Sequence, residues 1–193
     1  MNWLNENMED KILTPTQFEI KNNSNMCCGI AYGVVKYKNT LLRHYLSSNF
    51  DEYVNIFVKI MLYASNRKLN NPEINYDGEY INDITIRNDF TDIYESLTFC
   101  ELLVGSISED NEKHIEKIKS ILHNAKILDS IIMCKEANVF VLIKLNGSFM
   151  MIDSHLPIHG KINSHNVMMW ILSGGYFNGI ISIGYVNRES QNS

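Results

Sequence analysis

The sequence predicts an α+β fold, with helices in the N-terminal half packed on a mainly antiparallel sheet from the C-terminal third. Three observations point there. Apolar residues recur at helical spacing in residues 27–35 and 51–66. Residues 127–134, 139–145 and 148–155 are short apolar runs of strand length. Asn146-Gly147 separates the last two, and this dipeptide is the strongest short hairpin signal.

Residues 1–26 read as polar and irregular, with turn chemistry at Thr14-Pro15-Thr16 and Asn22-Asn23-Ser24. A helix is expected to open at Cys27, capped by Ser24 or Asn25, with Ile30, Ala31, Val34 and Val35 on its apolar face. Leu41, Leu42, Tyr45 and Leu46 continue the helical pattern. The helix over 51–66 should bury Val54, Phe57, Val58, Met61 and Leu62. Residues 66–95 are rich in Asn and Asp and carry no clear period, with a turn at Asp77-Gly78. An apolar run over 99–107 predicts a strand. Residues 110–124 predict a helix with Ile115, Ile118, Ile121 and Leu122 on one side. After the hairpin come a short helix near 165–172, Gly174-Gly175, a last strand over 180–186 and a frayed tail over 187–193.

The 193 residues are the size of one domain, taken as 1–193, and long enough to bury a core. Hydrophobic residues make up 45% and charged residues 20%, which fits a globular chain. No run approaches the roughly 20 apolar residues of a membrane helix, so no membrane partner is expected. The net charge is −5 without a basic patch, which argues against nucleic acid. The first eleven residues resemble neither a secretory signal nor a transit peptide. The four cysteines form no regular framework, so free thiols in a reducing, cytoplasmic setting are expected.

Chemistry concentrates in Asp153-Ser154-His155. On a strand, side chains at i and i+2 share a face with Cα atoms about 6.7 Å apart. A carboxylate at that distance reaches the near ring nitrogen, fixes the tautomer and leaves the far nitrogen free as a base. With a two-residue hairpin loop, Asp153 and His155 should share a face with Phe149 and Met151, and Pro157 should end the strand. Taken alone, such a tripeptide is more often a surface pair. Cys27 and Cys28 stand at the expected helix start, where the helix dipole favours a thiolate. Gln17 precedes them by ten residues and carries an amide suited to an oxyanion. Jointly, these residues make an acyl-transfer set.

At these residues the chain resembles the viral tegument-type deubiquitinases, cysteine proteases at the N terminus of the herpesvirus large tegument protein. The shared pattern is a Gln in an N-terminal loop, a Cys opening a helix, and a late hydrophobic-hydrophobic-Asp-Ser-His strand followed by Gly. Here these are Gln17, Cys27, Met151-Ile152-Asp153-Ser154-His155 and Gly160. Ala31 matches a small residue four positions after the Cys, which favours Cys27 over Cys28. Met26 departs from the family, which often has Gln there. The resemblance implies a papain-like fold and hydrolysis of isopeptide bonds after ubiquitin's C-terminal glycine. It implies Cys27 as nucleophile, His155 as acid and base, Asp153 as its orienter and Gln17 at the oxyanion. It also implies ubiquitin conjugates as partners, no cofactor or metal, a monomer, and action in a host cytoplasm as a viral or effector protein. The acidic stretch over 77–92 would be a docking surface for ubiquitin's basic tail.

Three other readings stay open. One is a papain-like peptidase, amidase or acyltransferase acting on another substrate. A second is a binding module without catalysis. A third, poorer one is a metal site at His155, His159 and His165, which Pro157 disfavours by preventing a helix.

Overall fold

The computed structural model describes residues 2–20, 25–78, 80–104, 109–172 and 179–188. Its elements run α1 (Asn2–Asn7), β1 (Glu9–Leu13), α2 (Cys27–Lys36), α3 (Lys38–Leu46), α4 (Phe50–Asn70), α5 (Ile84–Asp89), α6 (Thr91–Ser96), β2 (Thr98–Val104), α7 (Glu109–Asn124), β3 (Ser130–Lys135), β4 (Asn138–Lys144), β5 (Phe149–Ile152), β6 (Ile158–Ile162), α8 (Ser164–Leu172) and β7 (Gly179–Tyr185). The strands form an antiparallel sheet of order β1-β6-β5-β4-β3-β7-β2. This is the α+β class that the sequence predicts.

Both faces of the sheet are buried, which explains why its central strands are apolar throughout rather than alternating with polar residues. Ile132, Cys134, Val139, Val141, Ile143, Met150 and Ile152 face one core, which holds the apolar sides of α2, α3 and α4. Their neighbours Ile131, Met133, Phe140, Leu142, Phe149 and Met151 face a second core, which contains residues of α1, α7 and α8. The hairpin is as expected: Lys144 pairs Phe149, Leu145 N–H donates to the Ser148 carbonyl at 2.8 Å, and Gly147 takes φ 81° at the turn.

Several expectations need correction. Residues 1–26 are not irregular throughout, since α1, β1 and a 3-10 turn at Gln17–Glu19 lie there. Their short length and polar outer faces hid them. In α4 the buried stripe is Tyr53, Phe57, Ile60, Met61 and Ala64; Val54 and Val58 are only half-buried and Leu62 is exposed. The stripe begins one residue earlier than the apolar pattern suggested, because Tyr53 turns inward. The segment over 66–95 contains the end of α4 and two short helices. The strand over 148–155 ends at Ile152. Ser24, residues 105–107, Gly174-Gly175 and the tail beyond Arg188 lie outside the described residues.

Helix α2 is the element that sets the site, and its start is unusual. Met26 is the N-cap and supplies no side-chain cap, and Asn25 does not serve in its place. The first free N–H groups instead reach across the chain: Cys28 N and Gly29 N donate to the Tyr76 carbonyl at 3.0 and 3.3 Å. Tyr76 is anchored in turn, its hydroxyl donating to Asp89, which also pairs with Arg67 of α4 at 2.8 Å. This close approach requires Gly29. A Cβ there would lie 2.3 Å from Cδ2 of the Tyr76 ring.

Gly29→Ala is therefore expected to destabilise the protein by about 1–3 kcal/mol through overpacking, although alanine is the better helix former by about 1 kcal/mol. Urea unfolding measures this, and a neutral or stabilising result would contradict the packing described.

Candidate active site

The site is assembled at the start of α2 and at the turn that follows β5. Asp153 and His155 are not on the strand, which corrects the expectation. Continuing the pleat of β5 would have sent Asp153 with Phe149 and Met151 into the second core, on the face away from Cys27. The chain turns instead. Leu156 N–H donates to the Asp153 carbonyl at 3.1 Å, and the Asp153 carboxylate folds back on its own backbone. One carboxylate oxygen, Oδ1, accepts the His155 backbone N–H at 2.9 Å and the ring Nδ1–H at 2.7 Å. This is the side-chain-to-backbone turn that Asp forms readily. It achieves what the strand geometry was expected to achieve, and fixes the tautomer in the same way.

Cys27 is near enough to the His155 ring to favour its charged form. Asp153 and Cys27 are almost fully buried, and His155 is partly so. Burial opposes charge on the His155 ring. The hydrogen bonds to Asp153 and Cys27, and the negative charges of both, outweigh it and raise the imidazole from 6.5 to about 10. The exposed Phe18 ring stands 5.8 Å from the imidazole, tilted by 52°.

Cys28 is the other cysteine left open by the sequence. It is fully buried, and burial followed by the neighbouring Cys27 pushes its thiol well above the ordinary range. Cys27, not Cys28, is the cysteine whose nearness shifts the His155 ring. Gln17 is buried at 2% exposure and belongs to the same assembly by way of Ser154. Its backbone N–H donates to the Ser154 carbonyl at 2.8 Å, and its Oε1 accepts from the Ser154 hydroxyl at 2.7 Å. Its amide oxygen is thus occupied, and the NH2 is the part left to donate.

Three participants escaped the sequence reading. Gly78 passes so close to the thiol that a Cβ on it would lie 3.0 Å from the Cys27 sulfur and 2.0 Å from the Ala137 oxygen. The Ala137 carbonyl accepts from Cys27 Sγ at 3.6 Å, and the Gly78 carbonyl accepts from Cys134 Sγ at 3.0 Å. Burial, then the nearness of Cys27, raises the Cys134 thiol to about 11. The Asp77-Gly78 signal marked the first of these positions, but nothing local connected it with Cys27. Ala137 and Glu136 form the two-residue turn between β3 and β4 with φ of 63° and 53°. Such a turn normally takes Asn and Gly, so two ordinary residues there are strained.

The other candidates lie apart. His159 is buried against Tyr53, and His165 is exposed on α8. Among the described residues no group of three or more His, Cys, Asp or Glu side chains could hold a metal ion. Two carboxylates of the acidic stretch over 77–92 are engaged internally: Asp83 caps α5 through Thr85 N–H at 2.8 Å, and Asp89 holds Arg67 and Tyr76. Those two carboxylates are taken up by folding.

No protein-family model matches the chain, and no curated protein matches it in sequence. Among solved structures, it is similar to the ubiquitin-specific protease encoded by murine cytomegalovirus tegument protein M48, in complex with a ubiquitin-based suicide substrate. The TM-score is 0.55 at 8% identity, covering 91% of this chain and 84% of that one. At that identity the likeness is one of fold.

Two measurements test the geometry. The His155 pKa is raised on folding, so its contribution to stability is fully present below about pH 6.5 and is lost as the pH rises through about 10. The stability lost in Asp153→Asn should be largest near pH 6 and shrink toward pH 10 in denaturant unfolding. A loss that stays constant across that window would contradict the pairing. Replacing the strained turn with Glu136→Asn and Ala137→Gly should raise stability by about 1–2 kcal/mol. No gain would contradict the strain.

Proposed function

We propose that this chain is a cysteine protease directed at ubiquitin conjugates, cleaving the peptide or isopeptide bond after ubiquitin's C-terminal glycine. The observation that carries this reading is the His155 ring, held at Nδ1 by Asp153 at 2.7 Å and shifted toward its charged form by the nearby Cys27. The tegument-type sequence pattern supports it. So does the fold-level likeness to a protease solved with a ubiquitin-based suicide substrate.

In the proposed reaction, His155 stands as the imidazolium that its raised pKa implies, and Cys27 attacks the carbonyl carbon as the thiolate paired with it. The tetrahedral oxyanion is met by the free NH2 of Gln17. His155 gives its proton to the departing amine, which leaves a thioester on Cys27. Water then adds to the thioester with His155 accepting its proton, and the carboxylate product and the thiolate are released. Asp153 keeps its charge throughout and stabilises the imidazolium. Cys27 is 3% exposed, and its sulfur is covered on the side of Gly78 and Ala137. The proposal therefore includes a shift of that cover when substrate enters.

A ubiquitin probe carrying a thiol-reactive C-terminus tests the reading. The protein should be labelled, Cys27→Ala should abolish labelling and Cys28→Ala should leave most of it. Asp153→Asn should slow it by roughly two orders of magnitude or more. Labelling that survives Cys27→Ala would overturn the assignment. A protein that ignores the probe yet reacts with a small thiol electrophile at Cys27 would point to a different substrate.

A further inference from the structure

Phe18 is a large apolar side chain held out in solvent beside a reacting group. It is 56% exposed, and its ring stands 5.8 Å from the His155 ring, tilted by 52°. A lone phenylalanine on a surface needs no special reason. This one is fixed in place. The turn Gln17–Glu19 that carries it is closed on itself: Thr16 N–H donates to the Glu19 carboxylate at 2.6 Å, Glu19 N–H to the Thr16 carbonyl at 3.1 Å, and Ile20 N–H to the Gln17 carbonyl at 3.2 Å. The same turn is tied to Ser154, between Asp153 and His155, by the two hydrogen bonds of Gln17 at 2.8 and 2.7 Å. Gln17 turns inward from this turn, and Phe18, next in the chain, turns outward. The phenyl ring and the imidazole are thus held by one network.

The chemistry of the imidazole says what the phenyl ring meets. Nδ1 of His155 is taken by Asp153 at 2.7 Å, so the proton for the departing amine comes from Nε2. That amine has to come within about 3 Å of Nε2. A ring beside the same imidazole therefore stands beside the first atoms of the leaving group. The acyl side of the bond ends in glycine and offers no side chain there. The leaving side of an isopeptide bond is the four-carbon stem of a lysine, and acylation has removed the charge of its amine. Such a stem leaves water against a phenyl face with no ion to desolvate. A leaving glycine joined through its α-amine has no stem to offer.

We infer that Phe18 is a specificity residue on the leaving-group side: its ring packs on the stem of the departing lysine and favours isopeptide bonds over bonds to an α-amine. The inference rests on the reading of Cys27, His155 and Asp153 as the reacting groups, and it names the bond they cut. Phe18 moves no proton and carries no charge. It acts by binding the stem, so a substrate or probe without a stem is indifferent to it.

The test uses the full chain with Phe18→Ala, Phe18→Leu and Phe18→Gln. One peptide is joined to ubiquitin either through a lysine side chain or through an N-terminal glycine, and kcat/KM is measured for both. Labelling by a ubiquitin probe whose thiol-reactive end carries no lysine stem is measured beside them. The wild-type protein should prefer the isopeptide conjugate about tenfold, the worth of roughly two buried methylenes. Phe18→Ala should lose that preference through a slower isopeptide cleavage, with the glycine conjugate and the labelling rate within about threefold of wild type, and Phe18→Leu should keep most of it. If Phe18→Ala does not fold, Phe18→Gln decides, because it keeps the reach of the side chain, removes the apolar face and should lose the preference too. A wild-type protein without the preference would overturn the inference, as would variants that keep it. So would an equal slowing of both conjugates and of the labelling, which would make the ring a support for His155 instead. A wild-type protein that the probe fails to label would refute the proposed function and this inference with it, whereas a labelled protein whose alanine variant still prefers the isopeptide refutes the inference alone.

Discussion

The site depends on one oxygen. Asp153 Oδ1 holds both the backbone and the ring of His155, so a single acceptor sets the path of the turn and the orientation of the imidazole. A strand could have brought the two side chains to the same face, but to the wrong one, since Met151 and Phe149 point into the second core. Ending the pleat at Ile152 reverses that direction. Gln17 and Ser154 then hold the turn from outside through two hydrogen bonds.

The sulfur on the opposite side is positioned by elements distant in sequence. Helix α2 brings Cys27 to the sheet because it is almost wholly apolar, and it packs beneath the long α4. Its exposed first N–H groups would be costly if left bare next to a buried thiol. The Tyr76 carbonyl meets two of them, and Asp89 with Arg67 fixes Tyr76. The small residues follow from this crowding. Gly29 makes room for the Tyr76 ring, and Gly78 makes room for the thiol and the Ala137 carbonyl. The same crowding leaves the sulfur nearly inaccessible, with the strained Glu136-Ala137 turn as part of its cover.

Much of this was legible in the sequence. The helix start at Cys27, the Asn146-Gly147 hairpin and the α7 stripe follow from local patterns that the fold does not override. The pairing of Asp153 with His155 was also legible, although its mechanism was not: an i, i+2 carboxylate and imidazole meet equally through a pleat or through an Asp turn, and the apolar run into Ile152 favoured the pleat. What covers the thiol was illegible for a different reason. Tyr76, Gly78 and Ala137 reach Cys27 across 49 to 110 positions of chain, and their neighbours show no period. β1 was hidden because a short edge strand carries polar residues outward, with only Ile12 of its five residues buried. β6 was hidden because Pro157 read as an end rather than as a corner between two strands.

The most direct measurement is the alkylation rate of each cysteine at neutral pH, resolved by mass spectrometry, in the wild-type protein and in His155→Ala. The account predicts that Cys27 reacts faster than Cys28, Cys100 and Cys134 despite its low exposure, and that removing the imidazole erases this advantage. A Cys27 that reacts no faster than its buried neighbours, or that is indifferent to the loss of His155, would contradict it.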